Sequence, residues 1–359
     1  MQDSVNLAGP INQLGYGVAC LNIVKFSEMS GKQLAWQPIG SPDIKDYDMP
    51  WIIPALQRGR FFNPKLPSVR MYHQFDLALH CGNPRIGYPI FELDTFDETE
   101  QHHLSNQDQL FVCSKWAQTI LEKNRIKTPS VVVPLGVDRS IFHEKIPTNR
   151  TSEATVFFNV GKWEIRKGHD VIIDAFEKAF TTKDNVRLVM CCVNPFLDSH
   201  IQDEWVSRYK NSVLGNKIDV LTQRLATQHQ LAQLIAHADV GLFPARAEGW
   251  NLDLLEAMSC GKHVITTNAT AHTEFVNSEN AALISVSDLE PAFDHKWFRG
   301  QGNWFSLGES QIEQMVTHMR HYHQLKQEGK LGLNVAGLAT ANKFTWYNTV
   351  STFWSNLGG

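Results

Sequence analysis

The stretch DVGLFPARAEGWNLDLLEAMSCG, residues 239–261, reads as a strand that feeds a helix through a short loop. DVGLFP (239–244) has the apolar character of a buried strand. Asn251 is a natural N-cap for a helix over Leu252–Cys260, and Gly261 is its C-terminal stop. That geometry presents free backbone N–H groups and the positive end of a helix dipole at the carboxyl edge of a parallel sheet. Open α/β sheets bind ligands there, and a phosphate is favoured there. Glu248 stands on the loop and Glu256 lies farther into the helix. A carboxylate accepts two hydrogen bonds from a vicinal diol, so the two suit a sugar at one end of a nucleotide and a ribose at the other. A plainer alternative also fits, in which Glu248 favours the helix dipole and Glu256 is solvated.

Outward from this unit, short β-branched and apolar runs alternate with helical periodicity along the whole chain, the pattern of parallel sheets covered by helices. The class is α/β. In the first half, strands are expected near Val5–Ala8, Leu34–Ile39, Asp76–His80, Ile86–Glu92, Gln109–Ser114 and Val131–Pro134, with a helix over Lys115–Asn124 capped by Ser114. Arg139–Glu153 turns polar and aperiodic and reads as an interdomain linker. Beyond it the alternation restarts as a second doubly wound unit. The last apolar stretch, NKFTWYNTVSTFWSNL (342–357), carries too much aromatic surface to be left in water.

A length of 359 residues favours two domains, and two domains favour a central cleft. Hydrophobic residues at 43% and charged residues at 19% describe an ordinary globular chain rather than a disordered one. A formal charge of -4 with no run of Lys or Arg argues against a nucleic-acid partner. Six cysteines in apolar surroundings, with no C-x-x-C pair, suit free thiols in a reducing, cytoplasmic compartment. The start MQDSVNLAG lacks a charged segment followed by an apolar one, and no run approaches the roughly 20 apolar residues that span a bilayer. Membrane contact is expected to be peripheral at most.

A second strand–loop–helix, NVGKWEIRKGHDVIIDAF (159–176), crowds Lys162, Arg166 and Lys167 into its loop. Placed cations stabilise the charge that develops on a departing diphosphate, which a metal ion does elsewhere. A solvated basic loop is the plainer alternative. A third, AGPINQLGYGVACLN (8–22), follows the first strand and offers Gly15 and Gly17, but Cys20 and the lack of a downstream acid make it a weak dinucleotide fingerprint. Its glycines still permit close backbone approach to a ligand.

GPINQLGYG (9–17), VPLGVDRSIF (133–142), VGKWEIRKGHDVIIDAF (160–176), LFPARAEGWNLDLLEAMSCGKHVITT (242–267) and the FTW of the last helix (344–346) together resemble the retaining nucleotide-sugar glycosyltransferases of family 4, also called glycosyl transferases group 1. The resemblance spans nearly the full chain. It implies a GT-B fold of two Rossmann-like doubly wound domains facing a central cleft. An acceptor domain would cover 1–140, joined by a C-terminal helix over 341–359, and a donor domain 150–340.

Matched residue by residue, Lys162 and Lys167 correspond to the family's basic pair on the diphosphate, Glu256 to the glutamate on the ribose, and Glu248 to the one on the donor sugar. Gly249, Trp250, Asn251 and Leu252 would offer backbone N–H groups to the phosphates, Gly15, Tyr16 and Gly17 form the glycine loop, and Arg166 joins the substrate-binding set. Many relatives carry a histidine after the strand that here reads RIGYPIFELD (85–94), where this chain has Glu92. Glu92 then assists at the anomeric carbon, orients the acceptor or is structural. His80, at the end of DLALHC, is its rival.

The catalytic set expected on this basis is Glu248, Glu92 and Lys167. The implied activity is transfer from a nucleotide sugar, as co-substrate, to a hydroxyl on a glycan, lipid, small molecule or protein, with no cofactor and no metal. A non-catalytic nucleotide-sugar or glycan-binding protein and a nucleotide-sugar epimerase are the alternatives. DYD (46–48) sits far in sequence from the donor elements, and His318, His321 and His323 of HMRHYH do not converge on one helix face, so neither reads as a metal site. The aromatics Trp297, Phe298, Trp304 and Phe305 of HKWFRGQGNWF are expected to be buried against a helix, with stacking on a sugar or base as the alternative.

Overall fold

The computed structural model describes residues 4–148 and 153–357. Residues 149–152 of the expected linker, and 358–359 of the expected C-terminal helix, lie outside the described residues. The chain forms two compact units, Met1–Asp138 with Lys343–Gly359, and Arg139–Asn342.

The first unit runs β1 (Ser4–Gly9), α1 (Gly15–Met29), β2 (Gln33–Pro38), α2 (Met49–Gly59), β3 (Ser68–Arg70), β4 (Arg85–Gly87), α3 (Glu98–Ser105), β5 (Gln109–Val112), α4 (Lys115–Lys123) and β6 (Ser130–Val132). Its six strands pair in parallel in the order β2-β1-β3-β4-β5-β6. Val5 and Leu7 are fully buried, as a strand with helices on both faces requires. Ser114 caps α4, accepting from the Ala117 N–H at 3.2 Å.

The second unit runs β7 (Thr155–Gly161), α5 (His169–Ala179), β8 (Val186–Cys192), α6 (Ser199–Lys210), β9 (Ile218–Val220), α7 (Gln228–His237), β10 (Val240–Phe243), α8 (Leu252–Ser259), β11 (His263–Thr267), β12 (Ala282–Ile284), β13 (Leu289–Phe293), β14 (Arg299–Phe305), α9 (Glu309–Gln327) and α10 (Val335–Lys343). A second parallel sheet follows the order β12-β11-β10-β7-β8-β9, and β13 pairs with β14 as an antiparallel hairpin apart from it. The strand order reverses beside β7 and β10, so the loops leaving these two strands flank the switch point where α/β sheets bind ligands. α11 (Trp346–Ser355) belongs to the first unit, where the Trp354 indole donates to Ser27 Oγ at 2.9 Å and Tyr347 meets Phe26 edge-on.

Several expectations need correction. Asp76–His80 is no strand. The sheet takes β3 instead, and the chain after it turns through a 3-10 segment at Gln74–Asp76, with Arg70 donating to the Asp76 carbonyl and carboxylate. Only Arg85–Gly87 of the Ile86–Glu92 region pairs as strand. The terminal stretch is two helices, α10 and α11, divided at Thr345, whose hydroxyl caps α11. The aromatic run 295–305 forms the turn and second strand of the hairpin: Trp304 is buried as expected, but Trp297 is 48% exposed. Part of the expected linker is ordered, since Arg139 pairs with Glu144 at 2.9 Å and donates to Ser259 Oγ at 2.9 Å.

Candidate active site

The β7–α5 loop is held by a buried chain of hydrogen bonds. Asn159 Nδ2 donates to the Leu242 carbonyl at 2.5 Å. Asn159 Oδ1 accepts from His169 Nε2 at 2.9 Å, and His169 Nδ1 accepts from the Glu164 N–H at 3.0 Å. This pattern uses the neutral imidazole. Burial, with the charges of Lys167 and Arg166 adding to it, holds the His169 pKa down near 3. Gly168 enters α5 at φ 75, with Pro244 so close that a Cβ would collide with its carbonyl oxygen. Glycine is thus demanded twice over at this position.

The loop's charges meet those of the β10–α8 loop. Lys162 pairs with Glu164 at 2.7 Å, and Arg166 bridges Glu164 at 2.6 Å and Glu248 at 2.9 Å. Lys167 pairs with Glu248 at 2.8 Å. Arg166 is buried and also donates to the Ala247 carbonyl at 2.7 Å, so it fixes one loop against the other. Burial alone would raise the Glu248 and Glu164 pKa values. For Glu248, Arg166 and Lys167 outweigh burial and hold the carboxyl well below the usual range. For Glu164, Arg166 and Lys162 do the same and bring it to about 2. Lys167 is raised: Glu248 outweighs both its burial and the repulsion of Arg166. Asp253 is pushed up to about 6 by burial and by Glu248, against the pull of Lys167.

The start of α8 is set by Asn251, which adopts φ 84, a left-handed conformation that asparagine tolerates better than most residues. Its Oδ1 accepts from the Leu254 N–H at 3.2 Å, and its Nδ2 donates to His272 Nε2 at 3.0 Å. His272 Nδ1 in turn donates to the Thr267 carbonyl at 3.0 Å, and burial keeps this ring neutral with a pKa near 4. Thr270 Oγ1 accepts from the Glu248 N–H at 2.9 Å. Among the described residues, the backbone N–H groups of Gly249, Leu252 and Asp253 have no acceptor. They are the orphan donors of a helix start and make an anion-binding corner. Trp250 contributes only backbone, because its side chain is buried against Phe275. Glu256 is buried on α8 one turn beyond Leu252.

In the first unit, Gly15, Tyr16 and Gly17 lie in the first turn of α1 rather than on a free loop. The Tyr16 hydroxyl donates to the Ile90 carbonyl at 2.8 Å and accepts from the Ile90 N–H at 2.6 Å, which pins the segment bearing Glu92. Burial raises the Tyr16 pKa, and the charge of Glu92 adds to this. His80 ends no strand. Its ring nitrogens meet the carbonyls of Leu77 at 2.8 Å and Ser68 at 3.1 Å, contacts of a structural residue.

Sequence reasoning thus singled out Lys162, Arg166, Lys167 and Glu248, and the fold brings these together. It missed Glu164, His169, Asp253, Thr270 and His272. Glu164 was legible as an acid set between cations in KWEIRK, but the others become part of the site only through tertiary contact.

Residues 154–296 match the family model described as glycosyl transferases group 1. Over 161 residues the chain is 29% identical to GDP-mannose-dependent alpha-(1-6)-phosphatidylinositol dimannoside mannosyltransferase of Mycobacterium tuberculosis. That match covers 43% of this chain and 40% of the relative. Among solved structures, sucrose-phosphate synthase from Thermosynechococcus elongatus superposes with a TM-score of 0.71 at 13% identity, covering 99% of this chain and 98% of that one. Anabaena HepE in complex with UDP and glucose gives 0.68 at 15% identity, with 100% of both chains covered. At such identities the structural likeness shows the fold. With the two parallel sheets it gives the GT-B fold, and the group 1 glycosyl transferase match lies within the second unit.

Proposed function

We propose that this chain moves a sugar from a nucleotide-sugar donor to a hydroxyl acceptor, with retention of anomeric configuration and without a metal. The observation that carries the reading is the Lys167–Glu248 pair at 2.8 Å, set beside the open amides at the start of α8. The donor diphosphate takes the N–H groups of Gly249, Leu252 and Asp253 and draws Lys162 and Lys167 from their carboxylates. Glu248, released from Lys167 but still held by Arg166, accepts from donor sugar hydroxyls, and Glu256 accepts from the ribose. Arg166 is a positioning residue.

In the transfer step the bond from the anomeric carbon to the leaving phosphate oxygen breaks and a bond to the acceptor oxygen forms on the same face. The acceptor proton passes to the leaving phosphate oxygen. Lys167 and Lys162 stabilise the charge that collects on the diphosphate, the role that makes a metal unnecessary. Glu92, its segment fixed by Tyr16, is the first unit's candidate for holding an acceptor. Glu248 is held by two cations rather than paired with an acid/base partner, which suits this front-face course better than a double displacement.

The named activities of the relatives, GDP-mannose dependence in one and a UDP and glucose complex in another, make GDP-mannose and UDP-glucose the first donors to try. A cytoplasmic setting is proposed on six free cysteines. No described helix is long and apolar enough to cross a membrane. The decisive experiment incubates each donor with EDTA and an acceptor panel, reads released nucleotide, and assigns the product anomer by NMR. A strict requirement for Mn²⁺ or Mg²⁺ overturns the metal-free step, an inverted anomer overturns retention, and isomerised donor with no transfer overturns the transferase reading.

A further inference from the structure

A hollow of about 490 Å³ opens in the second unit, walled by the Trp163–Ile165 part of the β7–α5 loop, by α6, and by the turn of the β13–β14 hairpin at 294–297. At its inner side Trp163 stacks on Trp205, centroids 5.4 Å apart and planes at 3°. At its rim Trp297 stands 48% exposed.

That exposed indole is held in place by the fold. Asp294 Oδ1 accepts from the N–H groups of Lys296, Trp297 and Phe298 at 2.9, 2.7 and 2.8 Å, closing the turn around a single carboxylate. Phe196 braces the ring edge-on at 5.6 Å. The base of the hairpin is anchored as well: Glu290 accepts from the Trp304 indole at 2.9 Å and from Arg246 at 3.0 Å, and Arg246 pairs with Asp170 at 2.7 Å. Phe196 is itself 42% exposed, so the rim presents two adjoining aromatic rings to water, a contiguous apolar patch of the kind that marks a ligand surface.

The polar groups of the wall select the ligand. The indole N–H groups of Trp163, Trp205 and Trp297 make no hydrogen bond among the described residues, and the Glu204 carboxylate makes neither a hydrogen bond nor an ion pair there. Donors and an acceptor therefore line the same hollow, which suits hydroxyl groups that do both. Glu164 is neutralised by Lys162 and Arg166, and the rest of the wall mixes signs, with Glu204 and Asp294 lining it alongside Arg208 and Lys296. An ion of either sign would meet its like, whereas a neutral ligand would not. A flat apolar face beside hydroxyl edges is the shape of a pyranose, and aromatic faces attract its polarised C–H bonds.

We propose that this hollow is a second saccharide site, which seats one neutral hexopyranose unit of a glycan against Trp297. The site uses none of the donor-binding side chains except Glu164, whose carboxylate is already committed to Lys162 and Arg166. Only the idea that the seated ring belongs to an acceptor or product glycan rests on the proposed transferase function.

Saturation-transfer NMR on the full chain tests it, with methyl α-glucoside, methyl α-mannoside, maltotriose and cellotriose as probes. At least one probe should show saturation of its ring C–H protons. Trp297→Ala should weaken that binding about tenfold, Trp297→Phe should restore most of it, and Glu204→Gln should weaken it severalfold. No transfer to any probe, or transfer that Trp297→Ala and Glu204→Gln both leave unchanged, overturns the site. If Trp297→Ala does not fold, Glu204→Gln on the exposed face of α6 decides alone. Thermal shift with UDP-glucose and GDP-mannose on the same samples separates the two readings. A nucleotide-sugar shift without saccharide binding sinks only this site, and saccharide binding without any nucleotide-sugar shift sinks only the donor reading.

Discussion

Lys167 Nζ lies 2.8 Å from Glu248 Oε1, an ion pair across 81 positions of sequence that ties the loop after β7 to the loop after β10. Both side chains are nearly buried, so each depends on the other until a ligand replaces one of them. On the proposed function, Lys167→Ala removes a cation from the leaving diphosphate, and it leaves Glu248 paired only with Arg166. Turnover of the preferred donor should fall by about 10²–10³-fold. Lys167→Arg should recover part of it. Steady-state kinetics with donor saturating checks this, and unchanged kcat in Lys167→Ala would contradict the assigned role.

Glu164 and Arg166 act as a unit. Either single change, Glu164→Gln or Arg166→Met, takes one partner from a buried charge that keeps another, Arg166 keeping Glu248 and Glu164 keeping Lys162, and should cost about 1–3 kcal/mol of stability. The double variant should cost less than the two together, because the Glu164–Arg166 contact, counted in both single losses, is lost only once. Urea unfolding of the four proteins measures the coupling, and additive losses would show that the pair is not the relevant contact.

Acid should destabilise the second unit through its buried histidines before Glu164 and Glu248 titrate, with Asp253, raised to about 6 and so protonated first in the folded chain, offsetting only part of the loss. His169 and His272 have folded pKa values near 3 and 4, below the ordinary 6.5, so the unfolded chain binds protons that the folded chain refuses. Their contribution is fully present above pH 6.5 and is lost as pH falls from there towards 4. At pH 5 the loss is about 2 kcal/mol for each ring. The lowered carboxylates Glu164 and Glu248 add their loss only below about pH 4.5, their ordinary pKa. Unfolding free energy measured from pH 7.5 to 5 should slope downward, and a flat profile would mean these rings do not stay neutral.

Asn251 combines a left-handed backbone with a side chain that caps α8 and holds His272. Asn251→Ala loses the cap and strains the backbone, for a cost of about 2–3 kcal/mol. Asn251→Gly relieves the strain and should cost less. Thermal melts of both variants rank them, and an equal or reversed order would refute the backbone argument.

Gly15 and Gly17 separate binding from folding. A Cβ at Gly15 meets nothing within 4 Å, but one at Gly17 collides with the backbone of Asn12. Gly17→Ala should destabilise the first unit by about 1–3 kcal/mol, whereas Gly15→Ala should melt near the wild-type temperature. If Gly15→Ala still lowers turnover, the bare backbone there is reserved for substrate.

Much of this protein was legible in short windows of sequence. The α/β class followed from the alternation of strand and helix periods, and the caps Ser114 and Asn251 were readable because a capping oxygen acts within three residues. The cations of KWEIRK and Glu248 stood out because they lie on loops beside strong strand signals, and Glu256 stood out on the helix that follows. Asp76–His80 misled because its apolar residues also suit a turn that buries Leu77 alone, and only the pairing of β1 with β3 decides which segment joins the sheet. The hairpin β13–β14 was missed because its pairing is set by cross-strand contact and anchored by Arg246, 44 positions before Glu290. Periodicity, capping and turn preferences are properties of neighbours in the chain, so sequence alone determined the class of fold and which loops carry the clustered charges. Which acid faces which cation, and that His169 and His272 stay neutral, depend on contacts closed across tens of residues and on exclusion of water, and these exist only once the sheet has assembled.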